Sequence, residues 1–231
     1  MLQEADGIRP RRREPAINAP WVVTGLILAL LAAHAARVLG GISLGPLAVT
    51  SEDLAHGEYA RFLTYQFAHG GWAHVLMNAA FVLAFGAPVA RYFGEGPRGS
   101  LVFLLFFLVC GVLAAATYGM WVEIGAQLTG KPPQPWALVG ASGAGSGLMG
   151  AATRLMQGHG RVGKLGGRTV AVMTLAWIVI NLVLGVSGLT PGAGAVPVAW
   201  QAHILGYFAG LLLVGAFAVL AGATRRSQPL P

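Results

Sequence analysis

The feature that most constrains this chain is a succession of apolar blocks, most about twenty residues long, separated by stretches that hold nearly all of its charge. As helices, blocks of that length match the ~30 Å hydrocarbon core of a bilayer. In hydrocarbon every backbone N–H and C=O needs an internal partner, so helices are the natural solution. Composition agrees: only 10% of residues are charged and 55% are hydrophobic, whereas soluble domains carry about 25% charged residues. The reading is an all-α membrane protein. Its single cysteine, Cys110, excludes an internal disulfide and a cysteine-held zinc site.

The blocks run from Trp21 to about Leu39, Trp72 to about Phe93, Ser100 to about Trp121, Ser142 to Gln157, Thr169 to Gly188, and Val198 or Ala199 to about Gly222. They make a six-helix membrane domain over residues 21–222. A disordered cytoplasmic arm, 1–20, precedes it and a cytoplasmic tail, 223–231, follows. A signal peptide is a rival reading of the first block, because Ala33-His34-Ala35 resembles a cleavage site. The later blocks need that helix as a bundle partner. Gly40 to Gly71 mixes charged and apolar residues and reads as a partly ordered interfacial loop. Val122 to Val139 carries Lys131-Pro132-Pro133-Gln134-Pro135, which cannot continue a helix. Leu189 to Val198 is a loop rich in Gly and Pro.

Charge sets the orientation. With the N-terminus inside, the inner segments hold Arg9, Arg11, Arg12, Arg13, Arg91, Arg98, Arg154, Arg161, Lys164, Arg168, Arg225 and Arg226. Only Arg37, Arg61 and Lys131 of the 15 basic residues remain outside. Lys and Arg favour the cytoplasmic side, so both termini are expected inside. The net charge of +7 then reflects topology and contact with the lipid bilayer, and implies no nucleic acid partner.

The fourth block is short. Roughly 16 residues span about 24 Å, less than the ~30 Å core. Arg154 near its inner end holds that end at the cytoplasmic side. Ser142 at its outer end is therefore expected below the surface, facing a cavity, and such short helices tend to mark functional sites.

Polar residues inside spans are costly and ask for a reason. His74 and Asn78 are spaced i, i+4 and share a helical face. His203 precedes Gly206 and Gly210 on one face of the last span, and Ser142, Ser146 and Gly150 form a small-residue face on the fourth. Two such faces pack closely, which would bring His203 beside Ser142. Spans two, four and six all run from outside to inside, so these polar residues converge at one depth. A serine needs a base to become a nucleophile, and His203 can take its proton and return it to a leaving amine. The resulting oxyanion needs donors. The Ser142 N–H at a helix N-terminus is one, and His74 and Asn78 are candidates for others. Asp6 and Asp53 are the only aspartates and neither lies in a span. The expectation is a Ser142–His203 dyad in which a backbone group or packing orients the imidazole.

Three segments together resemble the rhomboid intramembrane serine proteases. The first is Gly57-Glu58-Tyr59-Ala60-Arg61-Phe62-Leu63-Thr64 followed by His69, His74 and Asn78. The second is Gly140-Ala141-Ser142-Gly143, and the third is Ala202-His203 with Gly206 and Gly210. The resemblance implies a six-transmembrane-helix bundle with Ser142 as nucleophile, His203 as base, and His74 and Asn78 as oxyanion-stabilising residues. It also implies transmembrane protein substrates, with water as the other reactant and no metal or cofactor. The chain departs from the pattern twice. Ser146 stands where many members carry an aromatic that packs on the histidine, and Ala90 where many carry a glutamate.

Other readings are weaker. His69 is expected to be structural, and His34, His56 and His159 interfacial or solvated. H-E-x-x-H is absent, and no carboxylate sits in a span near His74 or His203. Gly143-Ala144-Gly145-Ser146-Gly147 lacks the strand and downstream acid of a dinucleotide loop. A catalytically inactive, client-binding rhomboid-like protein remains the alternative, and a small transporter is a third reading. The loops Val122–Val139 and Leu189–Val198 would lie at the outer mouth, the second as a mobile cap. The expected location is a prokaryotic cell (inner) membrane with the site towards the outside.

Overall fold

A computed structural model describes residues 19–187 and 199–223. The basic arm with Arg9, Arg11, Arg12 and Arg13, the Leu189–Val198 loop, and the part of the tail with Arg225 and Arg226 lie outside the described residues. The chain begins with α1, Trp21–Leu39, started at Pro20 and closed at Gly40. The following segment is more ordered than its mixed sequence suggests. It contains a two-residue strand β1, Val49–Thr50, and the short helices α2, Ser51–His56, and α3, Arg61–Thr64. Thr50 and Asp53 form a reciprocal capping box at the start of α2. Arg61 Nε lies 2.8 Å from Glu58 and 3.1 Å from Asp53, and Arg61 Nη1 donates to the Pro46 carbonyl at 3.1 Å.

α4, Trp72–Phe81, continues through a π-helical turn, Val82–Gly86, into α5, Ala87–Phe93. Pro88 opens α5, and a helix absorbs a missing N–H most easily where its register has already been interrupted. α6 covers Pro97–Thr129, 33 residues, or about 50 Å. It therefore extends two turns beyond the expected Trp121, into Val122–Thr129, before Gly130 at φ +64° closes it. After the proline stretch, β2, Ala137–Leu138, pairs antiparallel with β1, Val49 opposite Leu138 and Thr50 opposite Ala137. Then come α7, Ser142–Gln157, α8, Arg168–Ser187, and α9, Trp200–Ala221.

Among the described residues, five helical runs are long and apolar enough to cross a membrane: α1, α4 with α5, α6, α8 and α9. The protein is thus an integral, multi-pass membrane protein. α7, with 16 residues, is not among them. It is instead the enclosed helix of the bundle, buried without interruption from Gly143 to Thr153 and packed against α4, α5, α6, α8 and α9. Its Gly, Ala and Ser side chains would gain little from lipid but allow other backbones to come close.

The closest approach is between α7 and α9. A Cβ on Gly206 would collide with the Gly143 carbonyl, one on Gly210 with the Gly147 carbonyl, and one on Gly150 with the Tyr207 carbonyl. Of the expected face Ser142, Ser146 and Gly150, Gly150 meets the α9 backbone and Ser142 meets His203, while Gly143 and Gly147 add the remaining backbone contacts. Ser146 lies on the neighbouring stripe, where its hydroxyl donates to the Ser142 carbonyl at 2.7 Å. At the other end Arg154 is not spent on lipid. Its guanidinium donates to the Gly163 carbonyl at 2.8 and 3.0 Å and to the Leu211 carbonyl at 3.1 Å. These bonds fix α7 to the following turn and to α9.

Gly210→Ala should destabilise the folded protein by roughly 1–3 kcal/mol, the range for overpacking a tight contact. Gly215, on the same helix, has no atom nearer than 3.9 Å to an added Cβ. Gly215→Ala should be neutral or stabilising, since Ala is the better helix former. Thermal unfolding in one detergent compares the two.

Candidate active site

The site lies where α7 begins. The backbone reaches it through β2 and Gly140, whose φ of +106° suits glycine. Three contacts hold this turn. Gly140 N–H donates to the Tyr65 carbonyl at 3.0 Å, and Gly145 N–H to the Ala141 carbonyl at 2.8 Å. Ala141 N–H meets His69 Nε2 at 3.4 Å. His69 is fully buried, and its Nδ1 lies 3.3 Å from the Phe67 carbonyl. Because Nε2 accepts from Ala141, the proton belongs on Nδ1, which can then donate to Phe67. Burial, followed by the nearby His74, pushes His69 down to about 4, so the ring is neutral near pH 7.

Ser142 and His203 come together at the junction of α7 and α9. Ser142 Oγ lies 2.8 Å from His203 Nε2. Both residues are half-buried. His203 Nδ1 lies 2.9 Å from Asn181 Oδ1 on α8. The sequence expectation that a backbone group or packing orients His203 is corrected here: a side-chain amide touches the ring. Asn181 was missed because sequence motifs drew attention to α4, α7 and α9. One signal was available, since Asn181 is the only carboxamide in the fifth apolar block, where a polar side chain asks for a reason.

His74 and Asn78 reach the same turn from α4. A Cβ on Gly140 would stand 2.8 Å from His74 Nε2 and 3.7 Å from Asn78 Nδ2. Both side chains are thus beside the residue two before Ser142. Asn78 is buried, and its amide donates one proton to the His74 carbonyl at 2.9 Å; Nδ2 carries a second. The first N–H groups of α7, left without intrahelical partners, add positive potential at the same end.

The other histidines divide. His56 and His159 are exposed, as expected. His34 is 1% exposed, which overturns its placement at the interface. Its ring stacks edge-on against Trp72 with centroids 4.7 Å apart, and lies 6.4 Å from that of His69. Its side of α1 faces the bundle, not water. Among the described residues, no group of three His, Cys, Asp or Glu could hold a metal ion.

A hydroxyl and an imidazole thus stand in bonding reach, inside a bundle of apolar helices and next to a helix N-terminus. The Rhomboid domain family model matches residues 56–219, so the chain belongs to the rhomboid family. The match runs from the end of α2 almost to the end of α9 and includes every residue of the site. Comparison with curated proteins gives no match.

A pH prediction follows from His69. Its folded value is lowered from 6.5 to about 4, so between these values the unfolded chain binds more protons than the folded one. Its contribution to stability is complete above about pH 6.5 and declines as pH falls towards 4. Unfolding of wild type and His69→Gln, measured from pH 7 to pH 4.5, should show a shallower loss of stability in the variant. Parallel pH curves would count against a buried neutral His69.

Proposed function

We propose that the protein is an intramembrane serine endopeptidase that hydrolyses peptide bonds in or near the transmembrane segments of membrane protein substrates. The observation that carries this reading is the 2.8 Å separation of Ser142 Oγ and His203 Nε2. In the reaction, the Ser142 hydroxyl gives its proton to Nε2 as Oγ attacks the scissile carbonyl. The imidazolium then protonates the leaving amine. The acyl-enzyme is cleared by water, activated by the same imidazole. The oxyanion receives hydrogen bonds from the Ser142 N–H and from the side chains of His74 and Asn78, whose position beside Gly140 supports this role.

The proposed bundle counts six membrane helices, with α7 as the short fourth. It has both termini in the cytoplasm and the catalytic end of α7 towards the outside of a cell (inner) membrane. The domain limits proposed from the sequence, 21–222 between an arm and a tail, go with this arrangement. The distribution of basic residues supports the orientation.

The test is covalent labelling. Purified protein in detergent should react with a fluorophosphonate probe, and Ser142→Ala should not. Equal labelling of the two would end the protease reading, and no labelling of either would favour an inactive rhomboid-like client-binding protein. His74→Ala and Asn78→Ala should each lower turnover of a cleavable transmembrane peptide about 10²–10³-fold, if each supplies a major oxyanion bond.

A further inference from the structure

We infer that Asn181 is a positioning residue for His203, and that its amide sets which nitrogen of the imidazole faces Ser142. This rests on the protease reading of the site and adds to it a residue on a third helix.

The argument begins with where Asn181 stands. Of the twenty residues of α8, only Val170 and Asn181 are buried. An amide is among the worst groups to turn into a bundle unless its donors and acceptor are used. Here they are used in a directed way. Asn181 Nδ2 donates to the Trp177 carbonyl, one turn earlier, at 2.9 Å. This bond fixes the amide: flipped, it would set its oxygen against another carbonyl oxygen. With Nδ2 so engaged, Oδ1 is the atom that meets His203 Nδ1, at 2.9 Å.

A carboxamide oxygen can only accept. Nδ1 must therefore carry the ring proton, and in the neutral imidazole Nε2 is left with a free lone pair. Nε2 is the nitrogen 2.8 Å from Ser142 Oγ, and a base needs that lone pair. The opposite tautomer would place two acceptors together at Asn181 and a proton between Nε2 and the hydroxyl. A wrong tautomer in a serine triad with intact geometry costs about 10⁴ in rate. The difference from an aspartate is charge. The amide orients the ring but adds little to the stability of the imidazolium.

Among the described residues, other groups do not do this work. Ser146, in the position where an aromatic could have braced the ring, gives its hydroxyl to the Ser142 carbonyl. Trp177 Nε1 reaches the His203 carbonyl at 3.4 Å and so holds the backbone, not the ring. Nor is Asn181 needed merely to join the helices. α8 is also tied to α9 by that Trp177 bond and by Thr174 Oγ1 and Tyr207 Oη, 3.0 Å apart. Loss of the Asn181 amide leaves both. Because α8 is otherwise so little buried, the tautomer of the base depends on this lightly packed helix keeping its seat.

The experiment compares wild type, Asn181→Leu and Asn181→Asp in saturation kinetics with a fluorophosphonate. Leucine removes the acceptor, while aspartate keeps an oxygen in its place. Asn181→Leu should lower the maximal labelling rate on the order of 10²-fold, the lower end of a general-base contribution, with half-saturation unchanged within about twofold. Asn181→Asp should stay within about tenfold of wild type. Equal losses in the two variants, or full activity of Asn181→Leu, would overturn the proposal. Nitrogen NMR of wild type labelled at histidine, with His203 assigned by its disappearance in His203→Ala, decides the matter even if a variant does not fold. Nδ1 protonated and Nε2 bare is the expected state, and the reverse overturns it. Wild type that never labels would instead end the protease reading, while the tautomer measurement would still judge Asn181.

Discussion

The structure depends on backbone meeting backbone along the contact of α7 and α9. Hydrocarbon gives helices no hydrophobic reason to associate, so close packing must supply it. Gly206 and Gly210 lie against the carbonyls of Gly143 and Gly147, and Gly150 lies against that of Tyr207. Any side chain at these points would separate the two helices. The same contact fixes how far the start of α7 stands from the start of α9. A hydroxyl on one can therefore meet an imidazole on the other at 2.8 Å. The glycines thus serve the chemistry by the volume they omit.

A second set of contacts shapes the chain just before the serine. The segment between α1 and α4 is folded by a capping box, by the ion pairs of Arg61 and by the β1–β2 pairing. It then supplies the Tyr65 carbonyl to Gly140 and the His69 ring to Ala141. These are hydrogen bonds between buried residues, where each polar group must find a partner. The turn that presents Ser142 is consequently held from outside α7 as well as by it. Burial that keeps His69 neutral also keeps it an acceptor.

The third contribution comes from α8, and its character is different. Beside an apolar cluster that its Val170, Met173 and Trp177 share with Met149, Tyr207 and Leu211, it makes several directed bonds: Thr174 with Tyr207, Trp177 with the His203 carbonyl, and Asn181 with the His203 ring. α7 and α9 hold the serine and the imidazole, and α8 touches the far side of the ring.

Much of this was legible in the amino-acid order. Apolar blocks with basic flanks gave the membrane helices, because hydrocarbon thickness and backbone hydrogen bonding leave few other choices. The motifs around Ser142, His203, His74 and Asn78 named residues that the structure brings to the start of α7. Tertiary structure alone decided finer matters. That Gly143 and Gly147 join Gly150 in the backbone contacts with α9 was one of them, because several small-residue stripes coexist on a helix of Gly, Ala and Ser, and the sequence does not rank them. His34 looked like an interfacial residue until the rotation of α1 turned it inward. Asn181 lay in a block with no motif around it, and its partner is 22 positions away on a helix whose rotation the sequence does not specify. Periodicity fixes which residues share a face of one helix. Only packing decides which face meets which neighbour, and hydrogen bonds between helices follow from that choice.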